Sequence, residues 1–200
     1  MTEKTTILGV QFDNVDLDGA AQRTKELIET SNKSCKLIVA PNTEFIMCAQ
    51  KDEEFFNILK SASFATPDSV GVMLGGKMQK KPFKARIPGQ MYFRKILETG
   101  EKEGWTFYFL GGKDDIPKKA KENVLSIYPN VKIVGYHEGY FEEHSEEDVI
   151  KEINSLEPNV LFVAMGAPLQ EKWIAKHRDE LKVDVAAGQR RNIWLRSWKN

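Results

Sequence analysis

Asp68 is a candidate for a catalytic acid or base. It lies in the segment Thr66-Pro67-Asp68-Ser69-Val70-Gly71, which follows a short apolar run and leads into small residues. A carboxylate in this position can act as a general base that deprotonates a hydroxyl nucleophile. The simpler alternative is that Asp68 or Ser69 caps the following helix, and the spacing alone leaves both interpretations open.

A polar pair follows a second apolar run. Residues 36–40 lead into Pro41-Asn42-Thr43-Glu44, which opens a helical pattern. Capping of that helix by Asn42 or Thr43 explains the pair most simply. The alternative is that the two side chains face a ligand at the end of the strand.

Arg86 is a candidate ligand for a phosphate group. It stands beside a Pro-Gly turn in Arg86-Ile87-Pro88-Gly89, after the basic stretch 77–84. The fork of a guanidinium matches phosphate oxygens, whereas the basic stretch itself is typical of a solvated surface.

Gly111 and Gly112 form a turn between a predicted strand and a predicted helix. Such a turn lets backbone N–H groups and a helix N-terminus meet a diphosphate. The chain has neither the full G-x-G-x-x-G fingerprint nor a P-loop, which argues against nicotinamide and ATP as ligands.

The most specific segment runs from Phe162 to Trp173. A buried strand ends near Gly166, and a proline then starts a helix whose first turn carries Gln170 and Glu171. The amide and the carboxylate could hydrogen-bond a sugar or a uracil. An ordinary helix start explains the proline but does not require this order of residues.

Short β-rich runs alternate with amphipathic helical patterns along the whole chain. We predict strands at residues 5–10, 36–40, 105–110, 131–136, 159–164 and 183–187. We predict helices at residues 17–30, 44–61, 90–104, 116–127, 145–156 and 169–181. This alternation predicts a single α/β domain with a Rossmann-like, mostly parallel sheet flanked by helices. Ligands of such sheets bind at the carboxyl ends of the strands, where the candidate residues lie.

The composition limits the class of protein further. The chain has 200 residues, with 29 Lys and Arg against 29 Asp and Glu, and this balance argues against a nucleic-acid partner. The longest apolar runs are about five or six residues, far below the roughly 20 needed to cross a bilayer. No signal peptide pattern is visible, and only two cysteines occur. We therefore expect a cytoplasmic enzyme or binding protein.

Taken together, six segments resemble the WecG/TagA/CpsF family of bacterial glycosyltransferases. The resemblance covers roughly residues 5–188, with the segments in family order. They are Ala-Pro-Asn-Thr-Glu (40–44), Thr-Pro-Asp-Ser-Val-Gly (66–71), Arg-Ile-Pro-Gly (86–89), Phe-Leu-Gly-Gly (109–112), Gly-Tyr-Phe (139–141) and Gly-Ala-Pro-Leu-Gln-Glu-Lys-Trp (166–173).

The resemblance implies an inverting hexosyltransferase that needs no metal and no other cofactor. Its donor would be UDP-N-acetylmannosamine or a related UDP-sugar, and its acceptor a polyprenyl-diphosphate-linked N-acetylglucosamine. Such steps build teichoic-acid linkage units and other surface polysaccharides. By the same resemblance Asp68 is the base, Asn42, Arg86 and Gln170 match pocket positions, and Gly111 and Gly112 lie near the UDP.

Three positions depart from the family pattern. The chain has Ala40 where the family often has Thr, Ser69 where a Gly usually follows the acid, and Met91 where an Asp is common. These departures bear on the identity of the sugar more than on the class of reaction.

The last eleven residues, 190–200, differ from the rest. They hold four basic residues, two tryptophans and no acid, whereas residues 1–189 carry 25 basic and 29 acidic residues. A membrane-surface anchor is one explanation. Codons that encode this tail can also be read one base later as Gly-Gly-Thr-Phe-Gly-Leu-Glu-Ala-Gly-Lys, which approaches the motif that the family has there. We therefore predict a glycosyltransferase domain at 1–189 and an out-of-frame tail at 190–200. The resemblance implies that the family's own C-terminal segment contacts the inner face of the bacterial membrane, so its loss would weaken that peripheral contact. The nucleotide sequence tests this.

Two other functions compete with the glycosyltransferase hypothesis. A non-catalytic remnant would retain part of the UDP site without turnover. A nucleotide-dependent oxidoreductase is the weaker alternative, because the glycine fingerprint is missing. The oligomeric state is open at this stage, a homo-oligomer included.

Overall fold

The structure is a computed structural model that describes residues 3–139, 143–190 and 194. Within these residues the chain forms eight strands and eight helices. The strands are β1 (Lys4–Ile7), β2 (Val10–Asp13), β3 (Lys36–Val39), β4 (Phe64–Ala65), β5 (Thr106–Gly111), β6 (Lys132–His137), β7 (Val160–Ala164) and β8 (Val185–Gly188). The helices are α1 (Leu17–Thr30), α2 (Thr43–Ala49), α3 (Glu53–Lys60), α4 (Val70–Met78), α5 (Gly89–Glu103), α6 (Ile116–Leu125), α7 (Glu143–Leu156) and α8 (Leu169–His177).

Six of the strands form one parallel sheet in the order β4-β3-β8-β7-β5-β6. Every neighbouring pair in this sheet is parallel. The predicted α/β domain with a parallel sheet flanked by helices is therefore confirmed. β1 and β2 form a separate antiparallel hairpin.

The central strands explain why the sheet is stable. All five residues of β7 are buried, and their side chains alternate between two apolar layers because successive residues of a strand point to opposite faces. On one face Phe162 packs against Phe93 of α5, with 4.6 Å between the ring centroids. On the other face Leu161 and Val163 join a second core cluster, to which Ile153 of α7 belongs. Strands covered on both faces need near-continuous apolar sequence, which is the pattern that the chain shows there.

The prediction of one strand over residues 5–10 is wrong. The chain reverses at Leu8 and Gly9, whose φ angles are 46° and 84°, so that β1 and β2 pair as a hairpin. A two-residue turn of this kind requires positive φ at both central residues. Leu8 is apolar and lies between apolar residues, so the sequence pattern continues through the turn and does not indicate it.

Three predicted helices also need correction. The helix predicted over 44–61 is two helices, because Asp52 caps α3 by accepting a hydrogen bond of 3.0 Å from the backbone N–H of Phe55. The helix predicted to begin at Ser145 begins at Glu143, and the one predicted to reach Leu181 ends at His177. Helix α4 and strands β2 and β4 have no counterpart among the predicted elements.

Two residues of the tail belong to the described part of the chain. Trp194 is fully buried and stacks on Phe109, with 5.4 Å between the ring centroids. Arg190 lies directly after Gln189 at the end of the sheet. The boundary predicted between 189 and 190 stays a prediction, and the remaining tail residues lie outside the described part.

Candidate active site

Most of the candidate residues, and Gln189 besides, lie at the carboxyl edge of the sheet. Asn42 follows β3, Asp68 follows β4 and Gln189 follows β8, while Gly166 follows β7 and leads into α8. Because the strands are parallel, these loops meet along one edge, where ligands of open α/β sheets bind.

A cleft of about 510 Å³ lies at this edge. Its polar lining includes Asn42, Gln170, Gln189 and Arg190, and its apolar lining includes Phe45. A volume of this size falls within the range of small-molecule sites, roughly 300–1,000 Å³. A smaller cavity of about 30 Å³ adjoins the cleft and shares Phe45, Gln170, Gln189 and Arg190 with it.

Asp68 lines the smaller cavity together with Glu171 and Gly188. One of its carboxylate oxygens accepts a hydrogen bond of 3.3 Å from the backbone N–H of Gly89, and the other lies 3.2 Å from Nη2 of Arg190. Burial raises the pKa of Asp68, and the charge of Arg190, the N–H of Gly89 and the charge of Arg86 oppose that rise. A carboxylate with a raised pKa is a better proton acceptor than an exposed one.

Ser69, not Asp68, caps the helix that follows. The hydroxyl of Ser69 accepts a weak hydrogen bond of 3.4 Å from the backbone N–H of Val72 at the start of α4. The carboxylate of Asp68 is therefore free of the capping role and directed at the cavity.

Asn42 does cap a helix, as the simpler interpretation holds. Its side-chain oxygen accepts a hydrogen bond of 2.9 Å from the backbone N–H of Phe45. The same residue lines the cleft, so capping fixes its side chain at the entrance of the site. The backbone N–H of Thr43 donates a hydrogen bond of 3.1 Å to the hydroxyl of Ser69, and the two hydroxyls lie 3.0 Å apart. Thr43 thus joins the loops after β3 and β4 but lines neither cavity.

Gln170 and Glu171 form a buried pair, 3% and 2% exposed. The side-chain oxygen of Gln170 accepts a hydrogen bond of 3.0 Å from the backbone N–H of Gly166, and its nitrogen donates one of 2.8 Å to Oε1 of Glu171. The other oxygen of Glu171 has no hydrogen-bond partner among the described residues. Burial raises the pKa of Glu171 to about 7.

Gly188 makes room for this pair. A Cβ atom at position 188 would lie 2.4 Å from the amide nitrogen of Gln170 and 2.4 Å from Oε1 of Glu171. The backbone of β8 can approach the two side chains only because residue 188 has none.

We expect Gly188→Ala to reduce the free energy of unfolding by about 1–3 kcal/mol, because overpacking displaces buried neighbours. Urea unfolding measures this change. Gly89→Ala is the matched control, since its Cβ would meet only Oε1 of Gln189, at 3.9 Å. Equal stability of the two variants would contradict the described contact.

The remaining predicted residues lie outside the two cavities. Arg86 is exposed, but its charge reaches Asp68 and lowers the pKa of that carboxyl. Gly111 ends β5 and Gly112 follows it, and the backbone N–H of Gly112 donates a hydrogen bond of 3.1 Å to the carbonyl of Ala164. Both glycines have positive φ, 132° and 75°, and close contact with β7 explains Gly111 without a ligand. Their contact with UDP stays a prediction. In the Gly-Tyr-Phe segment, Tyr140 and Phe141 lie outside the described residues.

Sequence reasoning missed Arg190, Gln189 and Phe45. The first two directly follow β8, so the rule that placed the other candidates could have identified them. Arg190 was instead assigned to the out-of-frame tail. Across the described ranges, no cluster of three His, Cys, Asp or Glu residues could hold a metal ion. The same residues include no helix long and apolar enough to cross a membrane.

These features define an α/β protein with a cleft at the carboxyl edge of its parallel sheet and, beside the cleft, a carboxylate paired with an arginine. The model of the glycosyl transferase WecG/TagA/CpsF family matches residues 5–190. The chain belongs to this family.

Curated relatives agree with this assignment. The chain is 33% identical over 152 residues to the N-acetylglucosaminyldiphosphoundecaprenol N-acetyl-beta-D-mannosaminyltransferase of Bacillus subtilis (strain 168), an alignment that covers 76% of the chain and 59% of that relative. It is 28% identical over 187 residues to the protein of the same name from Staphylococcus aureus (strain NCTC 8325 / PS 47), covering 94% of the chain and 73% of that relative. The aligned part of the chain thus spans about three fifths of the Bacillus protein.

Proposed function

We propose that the chain transfers N-acetylmannosamine, or a related sugar, from UDP to a polyprenyl-diphosphate-linked N-acetylglucosamine. The observation that carries the proposal is the Asp68 carboxylate at the carboxyl edge of the sheet, beside a cleft of about 510 Å³, in a chain of this family. The names of the Bacillus and Staphylococcus relatives support the choice of donor sugar and acceptor. The product would enter the synthesis of teichoic acid or another surface polysaccharide.

Asp68 acts as the general base in this proposal. Its carboxylate takes the proton of the acceptor hydroxyl, and the oxygen forms a bond to the anomeric carbon of the donor sugar. The bond from that carbon to the diphosphate breaks, and its electron pair leaves with UDP. A single displacement from the opposite side inverts the anomeric configuration.

In this proposal the chain's own cations stabilise the charge of the leaving group. Arg190 lies at the cleft beside Asp68, and Arg86 is close enough to Asp68 for its charge to lower the pKa of that carboxyl. Guanidinium groups bind phosphate oxygens through paired hydrogen bonds, and they stabilise the charge that grows on a departing diphosphate. By the family resemblance Gly111 and Gly112 lie near the UDP, while the backbone N–H of Gly112 already donates to the carbonyl of Ala164.

The cleft supplies the contacts to the donor. Asn42, Gly166 and Gln170 line it, and the amide nitrogen of Gln170 carries a second hydrogen besides the one donated to Glu171. The hydrogen bond to Glu171 fixes the side chain of Gln170, and the hydrogen bond between Thr43 and Ser69 fixes the loop that carries Asn42. The lipid-linked acceptor places the protein at the membrane surface as a peripheral protein.

The direct test incubates the full chain with UDP-N-acetylmannosamine and a lipid-diphosphate-linked N-acetylglucosamine analogue. We expect UDP release that depends on the acceptor, together with a disaccharide product detected by mass spectrometry. UDP binding without any transfer would contradict the proposal and favour the non-catalytic remnant.

A further inference from the structure

The outer face of α4 exposes large apolar side chains. Val70, Leu74 and Met78 are 65%, 55% and 76% exposed. They are spaced four residues apart, so they lie on one side of the helix and extend over about 12 Å. Their exposure requires an explanation, since a single scattered apolar residue is normal but a row of three is not.

Two neighbouring elements extend this surface. Met47 of α2 is half exposed, and α2 adjoins α4 through the hydrogen bond between Thr43 and Ser69. Leu8 of the β1–β2 turn is also half exposed, and the residue before it packs against Gly75 of α4. We call the surface formed by Leu8, Met47, Val70, Leu74 and Met78 the α4 face.

The surroundings of the α4 face are strongly basic. Between Asp68 and Glu98 the chain has no acidic residue and seven basic ones. Four of the seven lie within the apolar row or shortly after it and are exposed: Lys77, Lys80, Lys81 and Lys84. None of these four forms a salt bridge within the part of the chain that the structure describes.

The α4 face also adjoins the candidate active site. Val70 begins α4 two residues after Asp68. An apolar groove of about 280 Å³ runs beside the helix, and Val70, Leu74 and Phe83 line it together with Lys77. A partner on this face would therefore be held next to the catalytic carboxylate.

We propose that the α4 face docks onto the anionic surface of a lipid bilayer. Its apolar side chains would enter the boundary between headgroups and acyl chains, while the lysines contact anionic lipid headgroups. The charge of the face selects an anionic surface, and the choice of a bilayer over a protein partner rests on the proposed function, whose acceptor is a membrane lipid. Docking in this way holds the chain at the membrane by a helix that begins two residues after Asp68.

Flotation of the full chain with phosphatidylcholine vesicles that contain phosphatidylglycerol tests the proposal without any substrate. We expect the triple variant Val70→Gln, Leu74→Gln, Met78→Gln to reduce the partition coefficient at least about tenfold. We expect Lys77→Gln, Lys80→Gln, Lys81→Gln to reduce it by roughly tenfold to a hundredfold, with a weaker salt dependence. The first set removes apolar side chains and the second removes positive charges, so the two variants test the apolar and the electrostatic contribution to binding separately.

Matched controls carry the same changes elsewhere. Ile127→Gln, Val134→Gln, Leu156→Gln replaces three exposed apolar residues outside the face, and Lys118→Gln, Lys119→Gln, Lys151→Gln removes the same charge. We expect both to bind vesicles like the unchanged chain. Unaltered binding by the α4 variants would overturn the proposal and assign docking to another segment, such as the tail. The absence of vesicle binding would overturn it too, as would a dimer in sedimentation that the α4 variants dissociate.

Transfer to a short-chain, water-soluble acceptor separates this proposal from the proposed function. The α4 variants should keep that transfer and lose only the transfer to acceptors in vesicles. If no transfer occurs with either acceptor, the proposed function is wrong. The flotation assay uses no substrate, so it still decides whether the α4 face binds vesicles.

Discussion

Asp68→Asn is expected to lower the rate of sugar transfer by roughly 10²–10⁴-fold, because loss of a general base removes that much of the catalysis. The amide has the shape of the carboxylate and can still accept the hydrogen bond from the N–H of Gly89. It cannot take up the proton of the acceptor hydroxyl. UDP binding should be retained or become tighter, since Asn42 and Gln170 of the donor cleft are untouched and the neutral amide no longer holds the charge of Arg190.

Rates of transfer at saturating donor and acceptor measure this effect, and calorimetry with UDP measures the binding. Asp148→Asn is the matched control, since Asp148 is an exposed residue of α7. The pH profile adds a second criterion: the activity of the unchanged chain should fall as pH drops through the raised pKa of Asp68, and the residual activity of the variant should lack this step. Near-normal transfer by Asp68→Asn would remove Asp68 from the role of base.

Glu171→Gln is expected to stabilise the fold at alkaline pH by up to about 3 kcal/mol, since burial raises the pKa of Glu171 from 4.5 to about 7. Below the pKa that Glu171 has in the unfolded chain, both the folded and the unfolded chain hold the proton, and the carboxyl group does not lower the free energy of unfolding. As pH rises towards 7, the unfolded chain ionises first and the folded chain loses stability. A glutamine at this position is never ionised and avoids that loss.

Urea unfolding at several pH values measures the difference in stability between Glu171→Gln and the unchanged chain. We expect it to be near zero at pH 4, to grow through pH 5–7 and to level off above pH 7. The exposed Glu157→Gln is the control, and it should change stability by about 0.5 kcal/mol or less at every pH. A difference for Glu171→Gln that does not vary with pH would show that the buried carboxyl does not titrate as described.

The parallel sheet was predictable because its central strands are short apolar runs separated by helical patterns. β5 and β7 lie within one residue of their predicted bounds for this reason. The hairpin at Leu8 and Gly9 was not predictable from the same signal, because an apolar run that contains a turn resembles an apolar run that continues. The break between α2 and α3 was similar, since Asp52 lies in a pattern that reads as helical throughout.

The grouping of the candidate site was also predictable, but its internal contacts were not. Asn42 and Gln170 each follow a predicted strand, and parallel strands place those loops at one edge. Asp68 follows β4, which was not predicted as a strand, so only the short apolar run before it indicated its place. The hydrogen bonds of Gln170 to Gly166 and Glu171 depend on the close approach of β8 at Gly188, which is fixed only when distant segments pair. Arg190 was missed because its segment was interpreted as foreign to the fold.

The contact between Arg190 and Asp68 links proton uptake to the binding of anions. The charge of Arg190 lowers the pKa of Asp68, so an anion that takes over the guanidinium makes the carboxylate more basic. The reverse holds with the same free energy: a proton on Asp68 frees Arg190 to bind the anion more tightly. A diphosphate donor bound at Arg190 would therefore strengthen the base at the moment it is required. Transfer would then favour an ordered sequence in which the donor binds before the acceptor is deprotonated.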